Sequence, residues 1–236
     1  MILIEGIEPR RHFAVVVSQG FPGFYEVTGD AADDVIAISI DQAARTFSLD
    51  GVVYGGVSAV NVYGNGGNDT VSINGANGLA PIGASVLGGE GNDTVTVNNV
   101  GTAVWGGPGD DTMEFNDSYR AEAYGEDGLD HITLRGNCLD AEVHGGPGND
   151  TLVASGSAVP VFLYGDDGWD RLYGSPLGDV LDGGLDRDMM FGNGGGDQFY
   201  ARDGSLDWII GGEGIDTAVT DENEMSTSGT EVVISG

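Results

Sequence analysis

Two glycine-rich stretches each end in an aspartate that precedes a strand-forming segment. Residues 88–96 read G-G-E-G-N-D-T-V-T and residues 106–114 read G-G-P-G-D-D-T-M-E, so both fit the nonapeptide G-G-x-G-x-D-x-U-x, with U a large apolar residue. Asp93 and Asp111 are 18 residues apart (111 minus 93), which is two nonapeptides and one turn of a solenoid. A carboxylate beside glycine carbonyls that can turn inward offers the oxygen ligands that calcium prefers.

The stacking of these turns explains why a cation would be needed. Rungs of a parallel stack are ~4.8 Å apart, so aspartates one turn apart lie almost directly over each other. Two such carboxylates repel by about 3 kcal/mol at an effective dielectric constant of ~20. A calcium ion between each pair converts this repulsion into coordination by the two carboxylates and by carbonyls of both turns.

The composition supports the same chemistry and excludes several partners. The chain has 43 glycines, 38 acidic and 8 basic residues, and a net charge of -30. Such a charge opposes a compact state unless cations bind, and it disfavours nucleic acid and anionic membranes. No apolar run approaches the ~18 residues that a membrane span needs. The single Cys138 cannot form an internal disulfide and is interpreted as a small buried apolar residue.

The repeat continues through most of the chain and predicts an all-β parallel solenoid. Apolar residues alternate after each turn, in strands of three to five residues that form two sheets around a thin core, and no helical periodicity is sustained. The predicted core includes Val86, Val95, Val97, Val104, Ala123, Val143 and Leu163. Copies of the motif begin at Gly64, Gly88, Gly106, Gly125, Gly145, Gly165, Gly174, Gly183, Gly192, Arg202 and Gly211.

The spacing of the copies divides the chain into five predicted segments. Residues 1–25 form a leader or export-related segment, and residues 26–63 form a first turn with a hairpin. Residues 64–164 carry the motif on one bend per turn, residues 165–219 carry it on both bends, and residues 220–236 contain a capping strand. Within the leader, residues 7–14 resemble the LEPR-type element of planctomycete surface proteins; a disordered or strand-forming leader is the alternative.

The repeats resemble the RTX, or hemolysin-type, calcium-binding family over about residues 64–219. The resemblance implies a right-handed parallel β-roll with calcium between successive turns, bound by the aspartate side chain and by carbonyls of neighbouring glycine and x positions. The side-chain ligands carried over are Asp69, Asp93, Asp111, Asp130, Asp150, Asp170, Asp188 and Asp207 in one column, and Asp179, Asp197 and Asp216 in another. The carbonyl ligands carried over are Gly88, Glu90, Gly91, Gly106, Pro108, Gly109, Gly125, Asp127, Gly128, Gly145, Pro147, Gly148, Gly165, Asp167 and Gly168.

Because each ion needs two adjacent turns, the first column gives at most seven sites and the second gives two, which is nine in total. Asp34 is a candidate for an earlier member of the first column. The turn before Asp179 departs from the motif, since it reads Ser175-Pro176-Leu177. Glu126 and Asp166 replace second glycines, and a loop is expected around residues 75–83.

A row of mostly aromatic residues precedes the first-column turns. If they point outward, these rings could stack on sugar faces, which would make an extracellular glycan a partner, or they could stack on each other and stiffen the sheet. The row consists of Tyr63, Leu87, Trp105, Tyr124, His144 and Tyr164.

No sequence signature of catalysis is present. The chain has neither a His-Glu-x-x-His zinc motif nor a G-x-S-x-G nucleophile elbow, and no catalytic residue is assigned. The favoured function is a secreted or cell-surface calcium-binding module, structural or adhesive, that folds on binding calcium. The alternative is a lyase or epimerase that acts on acidic polysaccharide in the groove of the solenoid.

Overall fold

The computed structural model describes residues 15–76, 82–220, 225–228 and 232–235, and in these ranges the chain forms strands and turns but no helix. None of the described residues therefore belongs to a helix long and apolar enough to cross a membrane. The first twelve strands are β1 Val16–Phe21, β2 Phe24–Thr28, β3 Val35–Asp41, β4 Thr46–Leu49, β5 Val52–Gly55, β6 Ala59–Gly66, β7 Thr70–Ala76, β8 Gly83–Glu90, β9 Thr94–Asn98, β10 Thr102–Trp105, β11 Thr112–Asn116 and β12 Ala121–Tyr124. The remaining strands are β13 His131–Gly136, β14 Ala141–Pro147, β15 Thr151–Ser157, β16 Val161–Asp167, β17 Arg171–Tyr173, β18 Val180–Asp182, β19 Met189–Gly194, β20 Gln198–Ala201, β21 Trp208–Glu213, β22 Thr217–Thr220, β23 Met225–Ser228 and β24 Val232–Ser235.

Two twelve-stranded sheets form the walls of a parallel β-solenoid, as the sequence predicts. Sheet A has the order β1-β2-β6-β8-β10-β12-β14-β16-β18-β20-β22-β24. Sheet B has the order β23-β21-β19-β17-β15-β13-β11-β9-β7-β3-β4-β5. From β6 onward the chain alternates between the sheets, so each strand pairs in parallel with the strand two elements later.

Antiparallel pairing is confined to the N-terminal end of the described chain. Strand β1 pairs antiparallel with β2 at the edge of sheet A, and β3, β4 and β5 form an antiparallel meander at the edge of sheet B. The part of the predicted leader from Val16 onward therefore belongs to sheet A. The LEPR-like residues 7–14 lie outside the described residues, as do residues 77–81 of the expected loop.

The core consists of the inward-facing residues of every rung. All seven predicted core residues are at most 2% exposed, and larger side chains such as Met113, Phe115 and Ile132 fill the side of sheet B. Val95 pairs with Met113 and Met113 with Ile132, so equivalent core positions lie directly over each other. This in-register packing brings the turns that join the sheets into a column, because a one-residue slip would turn the apolar side chains outward.

Candidate metal centre

The motif aspartates form a continuous column along one edge of the solenoid. In each turn Oδ1 of the aspartate accepts a hydrogen bond from the backbone N–H of the aspartate in the turn before, at 2.7–2.8 Å, as between Asp111 and Asp93. We name this column the first aspartate ladder. Its members are Asp34, Asp69, Asp93, Asp111, Asp130, Asp150, Asp170, Asp188 and Asp207.

A second aspartate ladder runs along the opposite edge in the C-terminal part. Oδ1 of Asp179 accepts the N–H of Val161, Oδ1 of Asp197 accepts the N–H of Asp179, and Oδ1 of Asp216 accepts the N–H of Asp197, at 2.8–2.9 Å. The structure therefore brings the sequence-predicted aspartates together in the two predicted columns and places Asp34 at the start of the first.

In nine of these aspartates the second carboxylate oxygen is buried and has no hydrogen-bond donor. Every ladder aspartate is at most 1% exposed. A buried charged oxygen without a partner costs several kcal/mol, so each such atom indicates a missing positive group. Among the described residues this holds for Oδ2 of Asp69, Asp93, Asp111, Asp130, Asp150, Asp170, Asp188, Asp197 and Asp216.

Most of the unpaired oxygens lie in a cradle made by the first glycine of their own turn and a carbonyl of the turn that follows. A Cβ added to Gly88 would meet both Oδ2 of Asp93 and the carbonyl oxygen of Gly106, well inside van der Waals contact. The same convergence occurs at Gly106, where Oδ2 of Asp111 and the carbonyl of Gly125 approach the α-carbon. Only glycine fits at this position, because the carboxylate and carbonyl oxygens occupy the space that a side chain would need. Two oxygens that converge in this way fit a hard cation.

Backbone carbonyls must supply most of the remaining ligands. Among the described residues no three His, Cys, Asp or Glu side chains converge into a metal-binding group. The carbonyls of first and third motif positions point to the preceding turn, where Gly106 O accepts the N–H of Gly89 at 2.8 Å and Pro108 O accepts that of Gly91 at 2.9 Å. A carbonyl oxygen has two lone pairs, so each of these acceptors keeps one for a metal ion.

Burial raises the pKa of most ladder carboxyls, and the neighbouring carboxylates add to the effect. The backbone N–H that each accepts lowers the pKa but does not offset desolvation. The pKa values rise to about 8 for Asp130 and Asp170, about 7 for Asp111, Asp188 and Asp197, and about 6 for Asp69 and Asp150.

In calcium-free solution we expect the fold to be more stable at about pH 5 than at about pH 8. The pKa values in the fold lie above the ordinary value of 3.8, so protonation favours the folded chain. That stabilisation is complete below the ordinary value and is lost as the pH rises through about 6 to 8. The β-sheet circular dichroism signal that remains in excess chelator, measured at a series of pH values, checks this, and a signal that increases with pH over this window would contradict it.

The fourth motif position requires glycine for a steric reason that can be tested. Gly109 has a φ of 146°, and a Cβ there would overlap the carbonyl oxygen of Gly91 in the preceding turn. We expect Gly109→Ala to lower the free energy of unfolding in calcium by about 2–5 kcal/mol, because it combines backbone strain with a clash. Gly83→Ala is the control, since a Cβ there meets nothing within 4 Å, and its effect should stay within about 0.5 kcal/mol in the same urea titration.

The replacements of second glycines are less conservative than their sequence indicates. Glu126 and Asp166 keep the left-handed backbone of the glycines that they replace, with φ of 72° and 74°. Such angles are unfavourable for residues with a side chain. Part of this cost is offset at Asp166, whose carboxylate lies 3.1 Å from Nδ1 of His144 and raises the pKa of that histidine.

The outward-facing aromatic residues of sheet A stack on one another. Ring centroids are 5.6 Å apart for Trp105 and Tyr124, 5.3 Å for Tyr124 and His144, and 4.5 Å for His144 and Tyr164, and each pair is within 12° of parallel. Inside this row each ring face is covered by its neighbour. The arrangement is thus the self-stacked one of the two alternatives that the sequence left open.

The fifth motif position, which is variable in the sequence pattern, also forms a ladder of hydrogen bonds. Oδ1 of Asn68 accepts the N–H of Asn92 at 2.8 Å, Oδ1 of Asn92 accepts that of Asp110 at 3.0 Å, and Oδ1 of Asp110 accepts that of Leu129 at 3.0 Å. The frequent Asn or Asp before the motif aspartate was the available signal. These side chains link successive turns by hydrogen bonds on the outside of the solenoid, while the ladder aspartates link them on the inside.

The fold and the repeated turns together define a parallel β-solenoid of the β-roll type, with turns whose buried carboxylate oxygens fit a cation. Four segments of the chain match the family model of the RTX calcium-binding nonapeptide repeat, at residues 47–78, 142–159, 160–176 and 173–205. These segments are similar to RTX calcium-binding repeats, and they support a calcium-binding module within the solenoid. The two most regular nonapeptides, at residues 88–96 and 106–114, lie between the matched segments. No curated protein matches the chain.

Proposed function

We propose that calcium ions bind between successive turns of both aspartate ladders and that the chain folds when they bind. The observation that carries this proposal is the row of buried Oδ2 atoms without hydrogen-bond donors. In each interval the ion takes Oδ2 of one aspartate together with carbonyl oxygens of the two turns. These carbonyls belong to the glycine and x positions named in the sequence analysis, and six to eight oxygens complete a calcium site.

Coupled binding and folding follows from the charge of the chain. A net charge of -30 is distributed so that many carboxylates are inside the turns, where water cannot screen them. Each turn contacts only its neighbours, so a rung without its ion has no other source of compensating charge. The folded stack is consequently the calcium-bound state, and the calcium-free chain is largely unfolded.

This chemistry suits the outside of the cell, where calcium is abundant and extracellular modules bind it at about 10⁻⁴–10⁻³ M. We therefore place the protein in the extracellular space or on the cell surface, in a structural role. Adhesion to glycans through the rings is less favoured, because Trp105, Tyr124, His144 and Tyr164 cover one another's faces. Detection of the protein in the culture medium or at the surface of intact cells, rather than inside them, tests the location.

Enzymatic action on acidic polysaccharide is the alternative, and the surface charge argues against it. The groove of about 420 Å³ beside the rings is lined by Glu126, Asp127 and Asp166 and would repel a polyuronate. Incubation with polyuronates should therefore yield no unsaturated products by ultraviolet absorbance, and their appearance would establish the enzyme instead.

A competition titration against a chromophoric chelator tests the binding itself. The expected result is several calcium ions per chain, with binding that is cooperative because adjacent turns share ligands. The variant Asp93→Asn should bind fewer ions than the wild type, since Oδ2 becomes an amide nitrogen without a free lone pair. A chain that binds no calcium at millimolar concentration would refute the proposal.

A further inference from the structure

In the turns that begin the two ladders Oδ2 of the aspartate accepts a hydrogen bond, unlike Oδ2 in the nine turns named above. In the turn of residues 29–34 the N–H of Asp30 donates to Oδ2 of Asp34 at 2.7 Å. In the turn of residues 174–179 the N–H of Ser175 donates to Oδ2 of Asp179 at 2.5 Å, and the Ser175 hydroxyl donates to Oδ1 at 2.9 Å. The Oδ2 atoms of these two aspartates are thus absent from the unpaired set.

The same N–H has a different acceptor in a regular turn. The N–H of Gly89, which also occupies the second position, donates to the carbonyl of Gly106 in the following turn at 2.8 Å and leaves Oδ2 of Asp93 unpaired. The second-position peptide of the two starting turns is therefore directed at the aspartate of its own turn, where it supplies the positive end of a dipole to the carboxylate.

The turn that follows each starting turn contributes an asparagine at its second position. Nδ2 of Asn65 donates to the carbonyl oxygen of Gly29 at 2.8 Å, and Nδ2 of Asn193 donates to that of Gly174 at 2.8 Å. Both asparagines have left-handed backbones, with φ of 80° and 70°. Two unrelated places in the chain thus have the same pair of features, a capped aspartate and an amide bound to the first-position carbonyl.

We propose that the first interval of each ladder is closed by these hydrogen bonds and holds no calcium ion. The inference rests on the proposed function of the other intervals. In the two first intervals Oδ2 accepts an N–H of its own turn and the first-position carbonyl oxygen accepts a side-chain amide, so two N–H dipoles direct their positive ends at the oxygens that an ion would need. Oδ1 of Asp34 remains unpaired, but it lies at the free end of the first ladder, where no earlier turn donates to it.

The proposal changes the number of ions that the chain holds. The first ladder keeps its seven intervals from Asp69 to Asp207, and extension to Asp34 adds none. The second ladder keeps only the interval between Asp197 and Asp216. The expected total is eight, one fewer than the nine that the spacing of the aspartates allows.

Replacing the capping residues of the second ladder with glycine should create a calcium site. Ser175→Gly removes the hydroxyl that donates to Oδ1 of Asp179, and glycine allows the peptide N–H at 175 to turn toward the carbonyl of the following turn, as that of Gly89 does. Asn193→Gly removes the amide bound to the carbonyl of Gly174, and the left-handed backbone at 193 accepts glycine without strain. Native mass spectrometry in calcium should show one more ion bound to this double variant than to the wild type. Asn99→Gly is the matched control, because Asn99 also has a positive φ, of 56°, but lies in a bend without the motif; its ion count should equal that of the wild type.

The outcomes separate this inference from the proposed function. An unchanged ion count in the double variant, or a wild-type count above eight, overturns the inference while calcium binding stands. A wild-type chain without bound calcium refutes the proposed function itself. The wild-type count needs no substitution, so it decides the question even if the double variant does not fold.

Discussion

Removing calcium from the folded protein with excess chelator is expected to abolish most of its β-sheet circular dichroism signal. An ion that binds only the folded chain stabilises it by about 2.7 kcal/mol when its concentration is a hundred times Kd. Seven first-ladder intervals then contribute roughly 19 kcal/mol, which exceeds the net stability of about 5–15 kcal/mol of most domains. Without the ions the buried Oδ2 atoms of residues such as Asp93 and Asp111 have neither a donor nor a counter-charge.

Restoration of the spectrum should be specific for calcium. Magnesium requires a nearly ideal octahedral site and retains its water, so millimolar magnesium should restore little of the signal in the chelated protein. Thermal unfolding with and without calcium gives the same information as a difference in Tm. A spectrum and a Tm that do not change in excess chelator would contradict both the folding mechanism and the assignment of the ladders.

The largest effect of a single substitution is expected at Asp130, in the middle of the first ladder. Asp130→Asn keeps the oxygen that accepts the N–H of Asp111 at 2.8 Å and replaces the unpaired Oδ2 with an amide nitrogen. The variant loses one ion and leaves a neighbouring ligand set incomplete. Removing one partner of a buried charge pair costs about 3–5 kcal/mol, and we expect a loss of this size in urea titrations with calcium present.

Asp127→Asn is the matched control for this substitution. It removes the same charge from the same turn, but the Asp127 side chain is exposed and only its carbonyl, which accepts the N–H of Gly109 at 2.8 Å, is assigned to the metal. Its stability should remain within about 0.5 kcal/mol of the wild type, and its ion count should not change. Equal losses in the two variants would show that total charge, rather than the ladder, determines calcium binding.

Loss of the Asp130 site should also change how the chain unfolds. In a solenoid each rung is stabilised by its two neighbours, so a broken interval separates the stack into two parts. The calcium titration of Asp130→Asn should therefore become less steep than that of the wild type, with part of the signal recovered only at higher calcium. A parallel shift with unchanged steepness would indicate that the two halves do not depend on each other.

The solenoid and the two aspartate columns could be predicted because their signals are local and repeat. Each turn carries its own glycines, its own aspartate and its own apolar residue, as in residues 88–96, and the spacing of the copies gives the register of one rung on the next. Alternation assigned residues such as Val95 and Val104 to the core, where both are buried. Periodicity was sufficient for these residues because every rung packs its apolar side chains between the same two sheets.

The hydrogen-bond partners within the site were decided only by the tertiary structure. Asn65 and Asn193 look like ordinary departures from glycine, yet each reaches a carbonyl 36 or 19 residues earlier in the chain. Glu126 and Asp166 occupy the same motif position and make no such bond. A residue other than glycine at the second position therefore does not by itself predict this hydrogen bond. The orientation of a single peptide determines whether an N–H satisfies the aspartate of its own turn or the carbonyl of the next, and that orientation depends on which turns lie above and below.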